Sequence, residues 1–176
     1  MQKIVTRHFD VENSYRLETY LKDKGYEAAR KALTQMTPVQ VIEEIKKSNL
    51  RGLGGAGFPT GMKWGFINPA NPKPKYLVVN GDEGEPGTFK DKYILERDPH
   101  AFLEGVIITC YAIGSRKAYV YIRGEYEISI RTLQAAIDEA YKNKFLGKGI
   151  MGTSFDLEVI IHKGAGAYIC GEETAL

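Results

Sequence analysis

Tyr76-Leu77-Val78-Val79-Asn80-Gly81-Asp82-Glu83-Gly84-Glu85-Pro86-Gly87 begins as a short continuous apolar run and ends as an acidic turn punctuated by glycine. An apolar run of that length, bounded by turn residues, predicts a buried strand of a parallel sheet. Two more such runs follow, Ala118-Tyr119-Val120-Tyr121-Ile122 and residues 155–162. The last of them empties into Gly164-Ala165-Gly166-Ala167-Tyr168-Ile169-Cys170-Gly171-Glu172-Glu173. An apolar helical stretch over 99–113 separates the first two runs. A second helix, over 128–142, carries Ile130, Leu133, Ala136, Ile137 and Ala140 at i, i+3, i+4 spacing. Strand, helix, strand, helix, strand predicts an α/β fold with a Rossmann-like parallel sheet flanked by helices. Ligands of such sheets bind at the carboxyl ends of the strands, where the segments starting at Asn80 and Gly164 emerge.

Upstream, residues 14–33 read as helix broken near Gly25, with Leu17, Tyr20 and Leu21 on one face. Thr37-Pro38-Val39-Gln40 is a helix start: Thr as N-cap, Pro in the first turn, Gln three residues on. Val41, Ile42 and Ile45 supply its apolar face, and Lys46-Lys47 suit the negative end of the dipole. Residues 1–48 therefore form an N-terminal helical extension, and 49–176 the α/β domain. Residues 68–75 are a Pro/Asn/Lys loop. Thr174-Ala175-Leu176 stops in what reads as the first turn of a helix. The expectation is a truncated chain, or one completed by another polypeptide.

The chain's 176 residues suffice for one domain. A domain of that size buries roughly 70% of its unfolded surface and needs no disulfide staples. With 24 basic and 22 acidic residues interspersed, it has no basic stripe that would call for nucleic acid. Cys110 and Cys170 stand in unrelated contexts, and His8, His100 and His162 are scattered. A metal or iron–sulfur site built by this chain alone is not expected. The first ten residues lack the apolar core of a signal peptide, and the longest apolar run, 105–113, is far short of a membrane span. A cytoplasmic location is the default.

Arg51-Gly52-Leu53-Gly54-Gly55-Ala56-Gly57-Phe58-Pro59-Thr60-Gly61 packs five glycines into ten residues, with Lys63, Trp64 and Phe66 just beyond. Such a stretch lets backbone N–H groups approach a ligand closely. Donors, a cation and aromatic faces in one loop suit an anionic ligand with a flat ring, such as a nucleotide cofactor. Gly52 to Gly57 formally satisfies G-x-G-x-x-G, but a helix rather than a strand leads into it, so a standard dinucleotide fingerprint is disfavoured. Gly61-Met62-Lys63 also breaks the ending of a phosphate-binding P-loop. The acidic turn has three open readings: a solvated turn, a cation site without EF-hand spacing, or acceptors for the hydroxyl or ring N–H groups of a cofactor. The last glycine loop leaves a strand and enters a helix, whose first-turn N–H groups suit a phosphate. Cys170 reads as a small buried filler, since no histidine or acid stands at a spacing that would make it a nucleophile.

Taken together, Leu50–Trp64, NGDEGEPGTFKDK (80–92), IRGEY (122–126) and GAGAYICGEETAL (164–176) closely resemble the flavin-binding NADH dehydrogenase subunit of bacterial respiratory complex I. The same module occurs in NAD-linked hydrogenases and formate dehydrogenases. The resemblance implies an FMN- and NAD-binding α/β domain over 49–176. It implies hydride transfer from NADH to FMN, onward electron transfer to iron–sulfur clusters, and iron–sulfur subunits as partners in an assembly peripheral to the inner membrane. On the dinucleotide side it places Gly52, Gly54, Gly55, Ala56, Gly57, Phe58, Pro59, Thr60 and Gly61, with Lys63, Phe66, Glu85 and Glu173. On the flavin side it places Gly52, Gly54, Lys63, Asn80, Asp82, Glu83 and the last loop: Gly164, Ala165, Gly166, Ala167, Tyr168, Gly171, Glu172 and Glu173. Glu173 corresponds to the acid that favours the free ribose hydroxyls of NADH over the phosphate of NADPH, because an acid repels that phosphate. Leu53 stands where the family usually has Arg. The asparagine-rich flavin-phosphate loop, the ubiquitin-like domain and the Cys-rich cluster-binding domain do not occur in these 176 residues. The resemblance thus covers only the front part of the module, and a flavin site built by it alone is incomplete. The alternatives are a diaphorase subunit of a hydrogenase or formate dehydrogenase, and a non-catalytic assembly subunit without cofactor.

Overall fold

A computed structural model describes residues 3–172 and 174–176. Four helices come first: α1 (Leu17–Lys22), α2 (Glu27–Gln35), α3 (Pro38–Lys47) and α4 (Thr60–Gly65). Strand β1 (Leu77–Gly81) is followed by α5 (Lys90–Arg97) and α6 (Pro99–Ile113), then β2 (Lys117–Ile122), α7 (Glu127–Lys142) and β3 (Glu158–Lys163). The three strands form one parallel sheet in the order β1-β2-β3, with Val79 opposite Val120 and Val120 opposite Ile161. This is the α/β order that the sequence predicts, and all three strands run toward the same edge.

Burial follows the two-residue period of β2. Ala118, Val120 and Ile122 are buried against Leu103, Ile107 and Cys110 of α6 and Leu133, Ala136 and Ile137 of α7. The two crossover helices thus lie on one face of the sheet. Val78 of β1, on the other face beside Tyr119, is 50% exposed. The apolar run around Leu77 is therefore covered on one face only, which corrects the expectation of a buried strand. The N-terminal helices join the same core through Leu17, Tyr20, Tyr26 and Ala29, and the Tyr26 ring stacks on Phe145 with centroids 4.0 Å apart.

The predicted break near Gly25 is present: Tyr26 takes a left-handed φ of 64° between α1 and α2. Leu21, expected on the inner face, is 43% exposed, because the break ends α1 after Lys22 and only Leu17 and Tyr20 reach the core. Sequence periodicity did not reveal α4 and α5. The last glycine loop enters a short 3-10 turn, Tyr168–Gly171, where a helix was expected. Cys170 on that turn is half-buried rather than buried, while Cys110 lies in the core with its thiol pushed up to about 12 by burial.

The starts of α1, α2, α3 and α5 are secured in two ways. Helix α3 carries its own capping box: the Thr37 hydroxyl accepts from the Gln40 amide at 3.3 Å, and the Gln40 side chain accepts from the Thr37 amide at 2.8 Å. Helices α1, α2 and α5 have no local side-chain cap. Carboxylates from elsewhere accept their first N–H groups. Glu139 takes Leu17 N at 2.9 Å, and Glu104 takes Tyr26 N at 3.0 Å and Ala29 N at 2.9 Å. Glu83 takes Asp91 N at 3.0 Å and Lys92 N at 3.2 Å. A carboxylate there meets both the unpaired donors and the positive end of the helix dipole.

Candidate cofactor site

The carboxyl edge of the sheet delivers three segments side by side: the acidic turn after β1, the corner 123–126 after β2, and the glycine loop after β3. The first glycine loop, between α3 and α4, closes over this edge from outside. Between them lies a cleft of about 490 Å³, a volume of the size that small-molecule cofactors occupy. Its walls include Gly54 and Gly55 of the first loop, Asn80, Asp82 and Glu85 of the acidic turn, and Gly171 of the last.

The three acids of the turn have different fates. Glu83 is only 5% exposed, and its carboxylate is consumed by the start of α5 and by the Tyr126 hydroxyl at 3.1 Å. It lines the cleft as part of the frame. Asp82 Oδ2 is buried and, among the described residues, has no hydrogen-bond partner. Burial raises its carboxyl above the ordinary aspartate value, against the pull of the nearby Arg123 guanidinium. Glu85 is exposed at the mouth and accepts a hydrogen bond from the Tyr168 hydroxyl; that carboxylate in turn raises the phenol's pKa. Asn80 ties the walls together: its Oδ1 accepts from Asp82 N at 3.0 Å, and its Nδ2 donates to the Gly171 carbonyl at 2.6 Å.

The first loop is pinched at its base. Arg51 and Pro59 form an antiparallel bridge, Gly52 N donates to the Phe58 carbonyl at 3.0 Å, and an Arg51 guanidinium N–H donates to the Gly57 carbonyl at 3.1 Å. Its glycines do separate jobs. A Cβ on Gly61 would come within 2.6 Å of Lys46 N, so that glycine lets α4 lie against α3. A Cβ on Gly54 would meet nothing within 4 Å, so this chain's own packing does not demand a glycine there. Phe58 and Phe66 are exposed and form a tilted pair with centroids 6.0 Å apart.

Of the residues singled out from sequence, Gly54, Gly55, Asn80, Asp82, Glu83, Glu85 and Gly171 line the cleft. Gly52, Ala56, Gly57, Phe58, Pro59, Thr60, Gly61 and Lys63 stand in the same loop or on α4, and Phe66 caps the end of that helix. Gly164, Ala165, Gly166, Ala167, Tyr168 and Glu172 stand in the last loop without lining the cleft; Tyr168 donates to Glu85 at its mouth, and Glu172 accepts from Thr174 N at 3.0 Å. Glu173 lies outside the described residues. Thr88, Lys90 and Asp91 also line the cleft and were not singled out, although they stand within the string 80–92. Among the described residues no cluster of three or more acids, histidines or cysteines is placed to hold a metal ion, and no helix is long and apolar enough to cross a membrane.

The fold and cleft define a Rossmann-like α/β protein with a cofactor-sized site at the carboxyl edge of its sheet. Residues 45–176 match the Nuo51 FMN-binding domain family, and the chain belongs to that family. It is 57% identical to an NADH-quinone oxidoreductase subunit of Rhizobium meliloti (strain 1021), over 99% of this chain and 42% of that protein. It is 59% identical to the corresponding NADH-quinone oxidoreductase subunit of Aquifex aeolicus (strain VF5), over 91% of this chain and 37% of that protein. The chain thus spans about two fifths of the length of these curated relatives. Among solved structures, NAD+-reducing [NiFe]-hydrogenase in its H2-reduced state matches with a TM-score of 0.75 and 36% identity, over 90% of this chain and 26% of that one. The air-oxidized state matches with a TM-score of 0.72 and 33% identity, over 98% of this chain and 26% of that one.

Proposed function

We propose that this chain is the front part of a flavoprotein subunit that oxidises NADH through bound FMN. The carrying observation is that the span matching an FMN-binding family contains a cleft lined by a buried acceptor, Asp82 Oδ2, with no partner among the described residues. A flavin ring carries an N–H between two carbonyls, and Asp82 would accept from it and so regain the hydrogen bond that burial denies it. Asn80 and Gly171 hold that wall in place. Bound FMN would supply hydride acceptance and release of electrons one at a time.

The protein's own work in such a transfer is positioning, bringing the two reacting rings within about 3–3.5 Å of each other. The first loop, Gly52 to Gly61 with Lys63 and Phe66, takes the dinucleotide side, and the exposed Phe58 and Phe66 rings offer faces for its adenine. The last loop, Gly164 to Glu172, takes the flavin side. Glu85 takes the dinucleotide side, and the family correspondence gives Glu173 the role of the acid that repels the extra phosphate of NADPH. The α/β domain begins near residue 49, after the helical extension. Electrons leave to iron–sulfur clusters held by the remainder of the protein or by partner subunits, in an assembly peripheral to the membrane.

The likeness to NAD+-reducing hydrogenase favours a second reading, a diaphorase subunit of such an enzyme. Identities of 57% and 59% to NADH-quinone oxidoreductase subunits, against 33% and 36%, favour the first. To test the common core of both, the full-length protein is purified with its natural partners, denatured, and the released small molecules identified by mass and fluorescence. Stoichiometric FMN is expected; an intact assembly without flavin overturns the reading.

A further inference from the structure

The corner after β2, Arg123-Gly124-Glu125-Tyr126, contributes no residue to the walls of the cleft. Yet β2 is the central strand, so its corner emerges between the acidic turn and the last glycine loop. It is hydrogen-bonded to the first and in close contact with the second. On the β1 side, Arg123 N donates to the Gly81 carbonyl at 3.4 Å, and the Arg123 guanidinium donates to the Glu83 carbonyl at 3.1 Å. The Tyr126 hydroxyl donates to the Glu83 carboxylate at 3.1 Å. On the β3 side, Gly164 N donates to the carbonyl of Ile122, the last residue of β2 before the corner, at 2.8 Å. The last loop also sits so close that a Cβ on Gly124 would lie 2.3 Å from the Gly164 carbonyl oxygen. Real Cβ atoms do not approach backbone that closely, so any side chain at 124 must push the loop away.

We propose that this corner is a positioning unit which sets the separation of the two cleft walls and thereby the affinity for the flavin held between them. The inference rests on the flavin reading above and adds residues that stand outside the cleft lining. The physical basis is that a site must be held to about half an ångström by groups that are themselves fixed. Arg123 and Tyr126 fix Glu83, which in turn fixes the start of α5 and the turn carrying Asp82. Gly124 fixes the closest approach of the last loop, which brings Gly171 to the cleft. The left-handed region is not involved at Gly124, so alanine there is excluded by space alone.

The test compares the full-length protein, in its natural assembly, as wild type, Gly124→Ala and a stability control, Ile137→Val in the core beneath the sheet. Flavin content and the dissociation constant for added FMN are measured beside the thermal midpoint. Gly124→Ala should weaken FMN binding by about tenfold or more, the scale of an ångström's misplacement. Ile137→Val should lower the midpoint and leave FMN affinity unchanged. If Gly124→Ala binds FMN as wild type does, or if the control loses FMN as severely, the proposal fails while the flavin reading stands. Wild type without flavin would overturn both. Should Gly124→Ala not accumulate as folded protein, Tyr126→Phe decides by the same comparison. It should weaken binding by about three- to tenfold, the worth of one hydrogen bond, and FMN affinity unchanged in that variant overturns the proposal.

Discussion

Asp82 and Glu83 are adjacent carboxylates that do opposite things. Glu83 is satisfied from three directions and acts as frame, whereas Asp82 keeps one buried oxygen unpartnered among the described residues. Folding raises the Asp82 carboxyl above its ordinary value, so the folded state favours its protonated form. Its contribution to stability is therefore full below the unfolded value of about 3.9 and is lost as pH rises through the folded value. Asp82→Asn should raise the thermal midpoint of the nucleotide-free protein at pH 7, with the gain disappearing below about pH 4. Thermal unfolding at a series of pH values checks this, and an equal gain at every pH would contradict it. The same variant should retain less flavin, since the amide nitrogen can replace the acceptor. A string such as Asp82-Glu83-Gly84-Glu85 is readable as an acidic cleft wall, but not which acid is free. That depends on Tyr126, more than forty positions away in the chain.

At the scale of elements, the helices divide by where their caps come from. The start of α3 was legible because Thr37, Pro38 and Gln40 carry the whole device within four residues. Helix α5 went unread because its cap is Glu83, in the preceding turn. The starts of α1 and α2 depend on Glu139 and Glu104, 122 and 75 positions from the amides they accept. These caps differ in worth. Thr37 is exposed at the helix end, and Thr37→Ala should cost about 1 kcal/mol. Glu104 is buried and also receives the Tyr20 hydroxyl, so its removal strands several donors away from water. Glu104→Ala should cost about 3 kcal/mol or more. Denaturant unfolding of the two variants checks the order, and equal losses would mean that α2 finds other acceptors.

Over the whole molecule, His100 is the joint between the N-terminal helices and the sheet layer. It is fully buried on α6, with Nδ1 2.9 Å from the Tyr26 hydroxyl and Nε2 3.1 Å from the Glu139 carboxylate that caps α1. Burial pushes its pKa below the ordinary histidine value, despite the pull of Glu139. Its contribution is then present above the unfolded value of about 6.5 and is lost as pH falls below it. Asp98, raised by burial, pulls in the opposite sense as it takes up a proton. The diagnostic quantity is therefore a difference: wild type minus His100→Gln thermal midpoints should narrow between neutral pH and about pH 5. A constant difference would show that His100 takes up its proton equally in the folded and unfolded states, so that burial does not depress its pKa. By itself the sequence determined the order of strands and helices, the edge of the sheet where the loops gather, and the start of α3. Each of these is written in local periodicity, turn residues or a cap within one turn of chain. Only the tertiary structure decided that the sheet is buried on one face, that Glu83 is frame while Asp82 keeps an acceptor unpartnered among the described residues, and that distant carboxylates begin α1 and α2. It also decided that Gly124 is spaced against Gly164. These depend on burial and on partners brought together by the parallel crossovers, and no short window of sequence contains both members of such a pair.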